Sequence, residues 1–319
     1  MTTSNPDHSR TEEISDPSNL ASQTVNAIED ISGVHSGYRR AHAKGICCHA
    51  VFRPSGLATP FTSAPHLQEQ ELNAFVRFSG SSTDPTVADF LSPAKGIAVQ
   101  FLLPDGGVTN LVGVTVPVFF ARTPESFLDI IQAVHRAQEG TLGPLDLIQE
   151  IISHFSESKE SLLAVKKLLP PTSYAECQYY CIHAYFFMDR DENAYPVKFE
   201  WVPAGGVHTL SIIDAAQQPE DYLEDELKQQ LETEAVVFHL IAILGEPEDS
   251  TSDPTTAWPE ERRRIDIGQL YILDIIEEPF DLFMDPTVIP EGMALSDDPI
   301  LNFRHTTYAV SHDRRRQER

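Results

Sequence analysis

Hydrophobic residues in this chain first gather in short strand-like runs and only later take up helical spacing. From Gly45 to about Val112 the runs, clearest at residues 73–79 and 97–103, are separated by turn residues, and Pro104-Asp105-Gly106-Gly107 predicts a hairpin turn. Thr123-Pro124 then offers an N-cap followed by proline at the first helical position. Phe127, Ile130, Ile131 and Val134 recur on one face, so a helix begins there. A second helix starts at Pro144, with Leu145, Ile148, Ile151, Ile152 and Phe155 in register. Strand-like runs return at 181–188, 197–202, 207–212, 236–244 and 269–275, with a helix over 220–232 between them and a Pro-rich acidic loop over 246–259. The last predicted element is a helix around 299–312. Many strands interrupted by helices, without regular βα alternation or any internal repeat, predict an α+β fold. Residues 1–35 are polar with few large apolar side chains, which predicts a disordered N-terminal tail ahead of a single domain over 36–319.

Composition narrows the class. The chain has 319 residues, 41% apolar, and no run of 18 uninterrupted apolar residues, so it is expected to be a globular protein with one substantial core. Lys and Arg number 23 against 48 Asp and Glu; the formal charge of −25 repels phosphate backbones and anionic lipid, which argues against nucleic acid or membrane as partners. The N-terminal sequence has neither a basic n-region nor an apolar h-region, and the chain ends in Gln-Glu-Arg and not a peroxisomal Ser-Lys-Leu, so a cytoplasmic location is expected. Four cysteines are too few for a disulfide framework. Cys177-x3-Cys181-x-His183 lacks the fourth ligand and the paired spacing of a structural zinc site, and its alternation fits a strand face equally well. No phosphate-binding glycine loop or Gly-x-Ser-x-Gly elbow is present.

Chemistry concentrates near the two ends, in Arg39-Arg40-Ala41-His42-Ala43-Lys44-Gly45 and Arg304-His305-Thr306-Thr307-Tyr308. On a helix Arg304 and Tyr308 share a face, so the guanidinium can sit beside the phenol and favour the phenolate, a hard anionic ligand suited to ferric haem iron. His42 has the residue type to accept and return a proton near neutral pH.

Six motifs in order extend the picture: Arg39-x-x-His42-Ala43-Lys44-Gly45, Phe75-Val76-Arg77-Phe78-Ser79-Gly80, Pro117-Val118-Phe119-Phe120-x-Arg122, Phe283-Met284-Asp285-Pro286-Thr287, Ser296-Asp297-Asp298-Pro299-Ile300-Leu301 and Arg304-x-x-x-Tyr308. Together they resemble the haem catalase family, most closely its short branch, the catalase-related peroxidases. The resemblance implies an antiparallel β-barrel core with surrounding helices and haem b (iron protoporphyrin IX) buried between them. It also implies a peroxidase that reduces hydrogen peroxide or organic peroxides with a small organic reductant. Tyrosine ligation of the iron, here by Tyr308, is that family's property and not a consequence of spacing. By the same resemblance His42 is the distal acid–base, Ser79 fixes its imidazole, Arg304 supports the phenolate, Arg39, Arg77 and Arg315 neutralise the haem propionates, and Phe119 and Phe127 line the pocket.

The departures from the family pattern carry expectations of their own. Catalases have an asparagine three residues before the proline of the Pro-x-Phe-Phe motif, where this chain has Val114. Valine offers no side-chain hydrogen bond and the neighbouring Thr115 only a short hydroxyl, so disproportionation of hydrogen peroxide should be weak. Ala41 stands where the branch that rearranges fatty-acid hydroperoxides has threonine, which weighs against that reaction. The longer N-terminal arm and C-terminal helices of full-length catalases have no counterpart, so no NADPH and a monomer or homodimer are expected. Two rival functions use the same pocket: conversion of a lipid hydroperoxide or a biosynthetic oxidation, and a non-enzymatic haem carrier or sensor.

Overall fold

Strands with one apolar face must bury it, and here they do so by closing on themselves. The computed structural model describes residues 17–318. Strands β1 (Gly45–Pro54), β2 (Leu72–Gly80), β3 (Lys95–Leu102), β4 (Val108–Val114), β5 (Tyr179–Met188), β6 (Ala194–Pro203), β7 (Val236–Leu244) and β8 (Arg264–Ile276) pair antiparallel in the order β4-β3-β2-β1-β8-β7-β6-β5. The pairing of Val114 with Tyr180 joins β4 to β5 and closes an eight-stranded barrel, and β9 (Met293–Leu295) adds to the far side of β5. Alternation sends Cys48, Ala50 and Phe52, then Ala74, Val76 and Phe78, then Ile97, Val99 and Phe101 inward, where they meet Trp201, Tyr179 and Phe238 in one buried cluster. Interlocked rings fill it: Phe52 and Phe101 lie edge-on at 5.1 Å and Phe78 stacks on Tyr174 at 5.5 Å. The same alternation turns Arg77 and Ser79 outward, so the chemistry sits on the barrel's outer wall.

The helices are α1 (Pro17–Ser32), α2 (Pro124–Gln138), α3 (Pro144–His154), α4 (Ser158–Lys167), the short α5 (Ile212–Ala215), α6 (Tyr222–Leu231) and α7 (Pro299–Gln317), of which α1 and α7 face that wall. Thr123 caps α2 as its residue type predicts, accepting from Ser126 N in a reciprocal capping box.

The expectation of a tail over 1–35 is corrected for its second half; residues 1–16 lie outside the described residues. Residues 17–32 form α1, whose few apolar side chains recur at helical spacing and are buried by a neighbouring surface and not by a core of their own. Leu20 and Ala27 pack with Leu128 of α2 and Phe303 of α7, and Val25 is buried. Charge fastens the helix: Glu29 accepts from Arg40 at 2.6 Å and from Arg314 of α7 at 2.7 Å.

Two further expectations change. Residues 207–212 form no strand. Only Thr209 makes a bridge, to Pro171, and Ser211 instead caps α5, leaving Val207, Ile212 and Ile213 exposed. In α3 the buried side is Leu147, Ile151 and Phe155, while Leu145, Ile148 and Ile152 face out. The C-terminal helix runs to Gln317, past the predicted 312, and so carries Arg315 on the face of Tyr308.

Candidate active site

A cavity opens between the outer wall of β2, β3 and β4 and the helices α1 and α7. About 950 Å³ is free of protein atoms, counting the mouth. His42, Ser79, Arg39, Arg77, Arg304, Tyr308 and Arg315 all line it, so residues as much as 276 positions apart in sequence converge on one space.

His42 comes from the loop before β1. Its φ of +53° is in the left-handed region, a backbone state worth of order 1–3 kcal/mol for a residue other than glycine. Side-chain bonds hold it there. Arg77 donates from Nη1 to the His42 carbonyl and from Nη2 to the Ala43 carbonyl, both at 3.0 Å. His42 Nδ1 lies 3.0 Å from Ser79 Oγ, which fixes the ring. Gly96, opposite Ser79 in the β2–β3 register, leaves room for the pair; a Cβ there would stand 2.9 Å from both His42 Nδ1 and Ser79 Oγ. Burial, with Arg77, Arg304 and Arg39 nearby, pushes the His42 imidazole down to about 4, so it is neutral at pH 7 and able to accept a proton.

On the other wall, α7 begins at Asp298, whose Oδ1 accepts from Ile300 N and Leu301 N. Its Oδ2 is 2.6 Å from Nδ1 of buried His183, on β5. From that anchored end the helix presents Arg304, Thr307, Tyr308, Ser311, His312 and Arg315 to the cavity. The Arg304 guanidinium lies 5.8 Å from the Tyr308 ring centroid and 6.0 Å from that of Phe119. His305, one residue after Arg304, pairs with Asp285 at 2.6 Å and so ties the Met284-Asp285-Pro286 segment to α7.

Phe119 and Phe127 are not among the residues that line this cavity; with Phe120 they pack ring against ring at 4.5–5.8 Å in a neighbouring cluster around Ile130, Ile151 and Ile300, next to Arg304. Val114 does line the cavity, together with Ala41, Ala98 and Val112, whereas Thr115 spends its hydroxyl accepting from Lys95 N at 3.0 Å. No polar side chain replaces the missing amide at that position.

Several residues of the site have no mark in the sequence. His183, set aside above as an incomplete zinc ligand, sits at a bulge in β5, where the register shifts between Cys181 and Tyr185, and this turns it to Asp298. Val25 and Ile28 of α1 form part of the cavity wall, although their segment reads as a tail. Glu278 accepts from Arg39 Nη2 at 2.7 Å, from Arg77 Nε at 2.8 Å and from Arg315 Nη1 at 3.2 Å.

A family model described as Catalase matches residues 7–318. The chain belongs to the catalase family. It is 32% identical over 298 residues to a catalase-related peroxidase of Mycolicibacterium paratuberculosis, covering 91% of this chain and 92% of that protein. It is 29% identical to a catalase-related peroxidase of Synechococcus elongatus, covering 92% and 88%. A fungal catalase crystal structure shares the fold with a TM-score of 0.79 at 19% identity, over 88% of this chain and 60% of that one. As a catalase-family member the chain is an oxidoreductase acting on peroxide, and among the described residues no helix is long and apolar enough to cross a membrane.

Proposed function

We propose that this catalase-family chain is a haem b peroxidase that reduces hydrogen peroxide or an organic hydroperoxide with electrons from a small organic donor and disproportionates hydrogen peroxide weakly. The observation that carries the reading is the meeting of two opposed constellations in one cavity: His42 bonded to Ser79 on the barrel wall, and Tyr308 beside Arg304 on α7.

The residues present fit the group. Arg39 Nε is buried without a hydrogen-bond partner in the cavity wall, and Arg39, Arg77 and Arg315 converge there on Glu278, a cationic cluster suited to carboxylates. Tyr308 would ligate the iron, Arg304 would support its phenolate, and Arg39, Arg77 and Arg315 would hold the propionates. Haem, when bound, supplies the redox chemistry of O–O cleavage. The protein supplies the proton path. Neutral His42, with Nδ1 tied to Ser79, offers Nε2 to the proton of the arriving hydroperoxide and returns it to the departing oxygen, which leaves as water or an alcohol. Two electrons and two protons from the donor complete the balance, the second oxygen leaving as water. Val114, Val112 and Ala98 give a second peroxide no side-chain hydrogen bond, which supports weak disproportionation.

The apolar wall around His42 also favours a second reading, an organic or lipid hydroperoxide as the natural substrate. Under either reading we place the protein in the cytoplasm as a monomer or homodimer. The test compares rates with hydrogen peroxide plus a phenolic donor and with an alkyl hydroperoxide, in wild type, Tyr308→Phe and His42→Ala. Loss of the haem Soret band in Tyr308→Phe and a fall of roughly 100-fold or more in peroxide consumption in His42→Ala are expected. Undiminished consumption in His42→Ala would make the protein a haem carrier.

A further inference from the structure

Tyr308 lies near the middle of α7, a helix of 19 residues and so about 28 Å long. The face it shares with Arg304, Thr307, Ser311, His312 and Arg315 borders the cavity. Along that face the helix spans a space, so where Tyr308 stands depends on how the two ends are fastened. The N-terminal half is pinned by Asp298 to His183 and by His305 to Asp285. Ten residues beyond Tyr308, at the C-cap, Glu318 ties the other end to the segment that carries His42.

That second fastening is built around Arg40, which is buried in the cavity wall two residues before His42. Its two terminal nitrogens donate to the two carboxylate oxygens of Glu318, Nη1 at 3.2 Å, in a bidentate fork. Its Nε donates to Glu29 of α1 at 2.6 Å, and Glu29 in turn accepts from Arg314 of α7 at 2.7 Å. Arg314 also donates to Asn26 of α1, at 2.7 Å. Gly37 N donates to the Glu318 carboxylate at 3.3 Å, and Ser36 Oγ to its carbonyl at 3.2 Å. The charges therefore alternate along a chain Arg314–Glu29–Arg40–Glu318 that leaves α7, passes through α1 and the loop before β1, and returns to α7. Because Arg40 is shielded from water, removing it strands two carboxylates and costs more than breaking a surface pair.

We propose that Arg40 is a positioning residue, the clasp that fixes the C-terminal half of α7 to the His42 segment and so sets how Tyr308 faces His42 across the cavity. Its consequence for the cofactor rests on the haem reading; its hold on α7 does not. With the clasp open, the last turns of α7 are released from α1 and the His42 loop, and a cofactor held by Tyr308 escapes more readily.

The experiment uses the full chain as wild type, Arg40→Gln, Glu318→Gln and Arg40→Lys, with two readouts. The first is amide hydrogen exchange without cofactor. Arg40→Gln and Glu318→Gln should speed exchange over residues 309–317 roughly tenfold or more and change residues 303–307 by less than about threefold. Arg40→Lys keeps the charge but not the fork, and should recover part of the difference. The second readout loads each chain with iron protoporphyrin IX, adds an excess of a haem-scavenging protein and follows the Soret band. Arg40→Gln should release haem roughly tenfold faster than wild type, with Arg40→Lys between them. Unchanged exchange over 309–317, or an equal rise along the whole helix, would overturn the clasp. Faster exchange with an unchanged release rate would overturn its hold on Tyr308. If Arg40→Gln does not fold, Glu318→Gln, which leaves the Arg40–Glu29 pair intact, decides by the same criteria. Should wild type take up no haem, the haem reading fails, and the exchange result still decides whether Arg40 holds α7.

Discussion

Adding one carbon at Gly96 should disable the base without unfolding the barrel. A Cβ there would stand 2.9 Å from His42 Nδ1, 2.9 Å from Ser79 Oγ and 3.0 Å from His42 Cε1, whereas nonbonded atoms sit comfortably at about 3.5–4.0 Å. The strand cannot yield, because β3 is paired on both sides, with Gly96 between Ser79 and Val114. Nor can the His42 backbone, whose carbonyl is held by Arg77. The ring must therefore shift by about 0.5 Å and give up its bond to Ser79, a loss of about 1–3 kcal/mol when buried partners are left unsatisfied. Displacement on that scale in a catalytic group lowers rate by up to roughly 100-fold. For Gly96→Ala we expect kcat/KM for peroxide to fall roughly 10- to 100-fold, about 1.4–2.7 kcal/mol, with Tm lowered by only a few degrees. The assay is initial-rate turnover with a phenolic donor alongside thermal melting. Ser79→Ala removes one of the three obstructing atoms, so the double variant should be no slower than the slower single variant. Wild-type turnover in Gly96→Ala, or full additivity with Ser79→Ala, would refute the reasoning.

Other consequences follow from the same geometry. Because the folded pKa of His42 lies near 4 and not 6.5, the neutral base persists as pH falls and is lost only as pH drops through about 4. Turnover should hold to about pH 5, and an acid limb between 6 and 7 that disappears in His42→Ala would contradict this assignment. Asp298→Ala removes the α7 cap, worth about 0.5–2 kcal/mol, and leaves His183 Nδ1 buried without its carboxylate, about 1–3 kcal/mol more. Urea unfolding of wild type and variant should therefore differ by roughly 1.5–5 kcal/mol, and a difference under 0.5 would mean that neither bond contributes. Val114→Asn places an amide in the cavity wall; oxygen release from hydrogen peroxide should rise several-fold relative to donor oxidation, and an unchanged ratio would remove Val114 as the cause of weak disproportionation.

Local pattern was enough for most elements, because turn residues, caps and strand-like or helical spacing act within a few residues. The Thr123-Pro124 start of α2, the turn at 104–107 and the strand at 236–244 appear where the pattern puts them. It failed where a segment's fate depends on what it meets. Residues 207–212 have strand-like composition but no neighbouring strand to pair with, and residues 17–32 look too polar to order yet gain a docking surface between α2 and α7.

For the site, the sequence by itself determined the residue types and their pairing in motifs: an imidazole with a serine, an arginine four residues before a tyrosine. Only the tertiary structure decided which of these share a cavity. It brought His42 and Tyr308 together, left Phe119 and Phe127 in a neighbouring cluster, turned Thr115 to a backbone amide, and gathered three arginines on Glu278. Side-chain type is a local property carried by each residue. Proximity across 266 positions, from His42 to Tyr308, is set by barrel closure and helix docking, which no window of the chain contains.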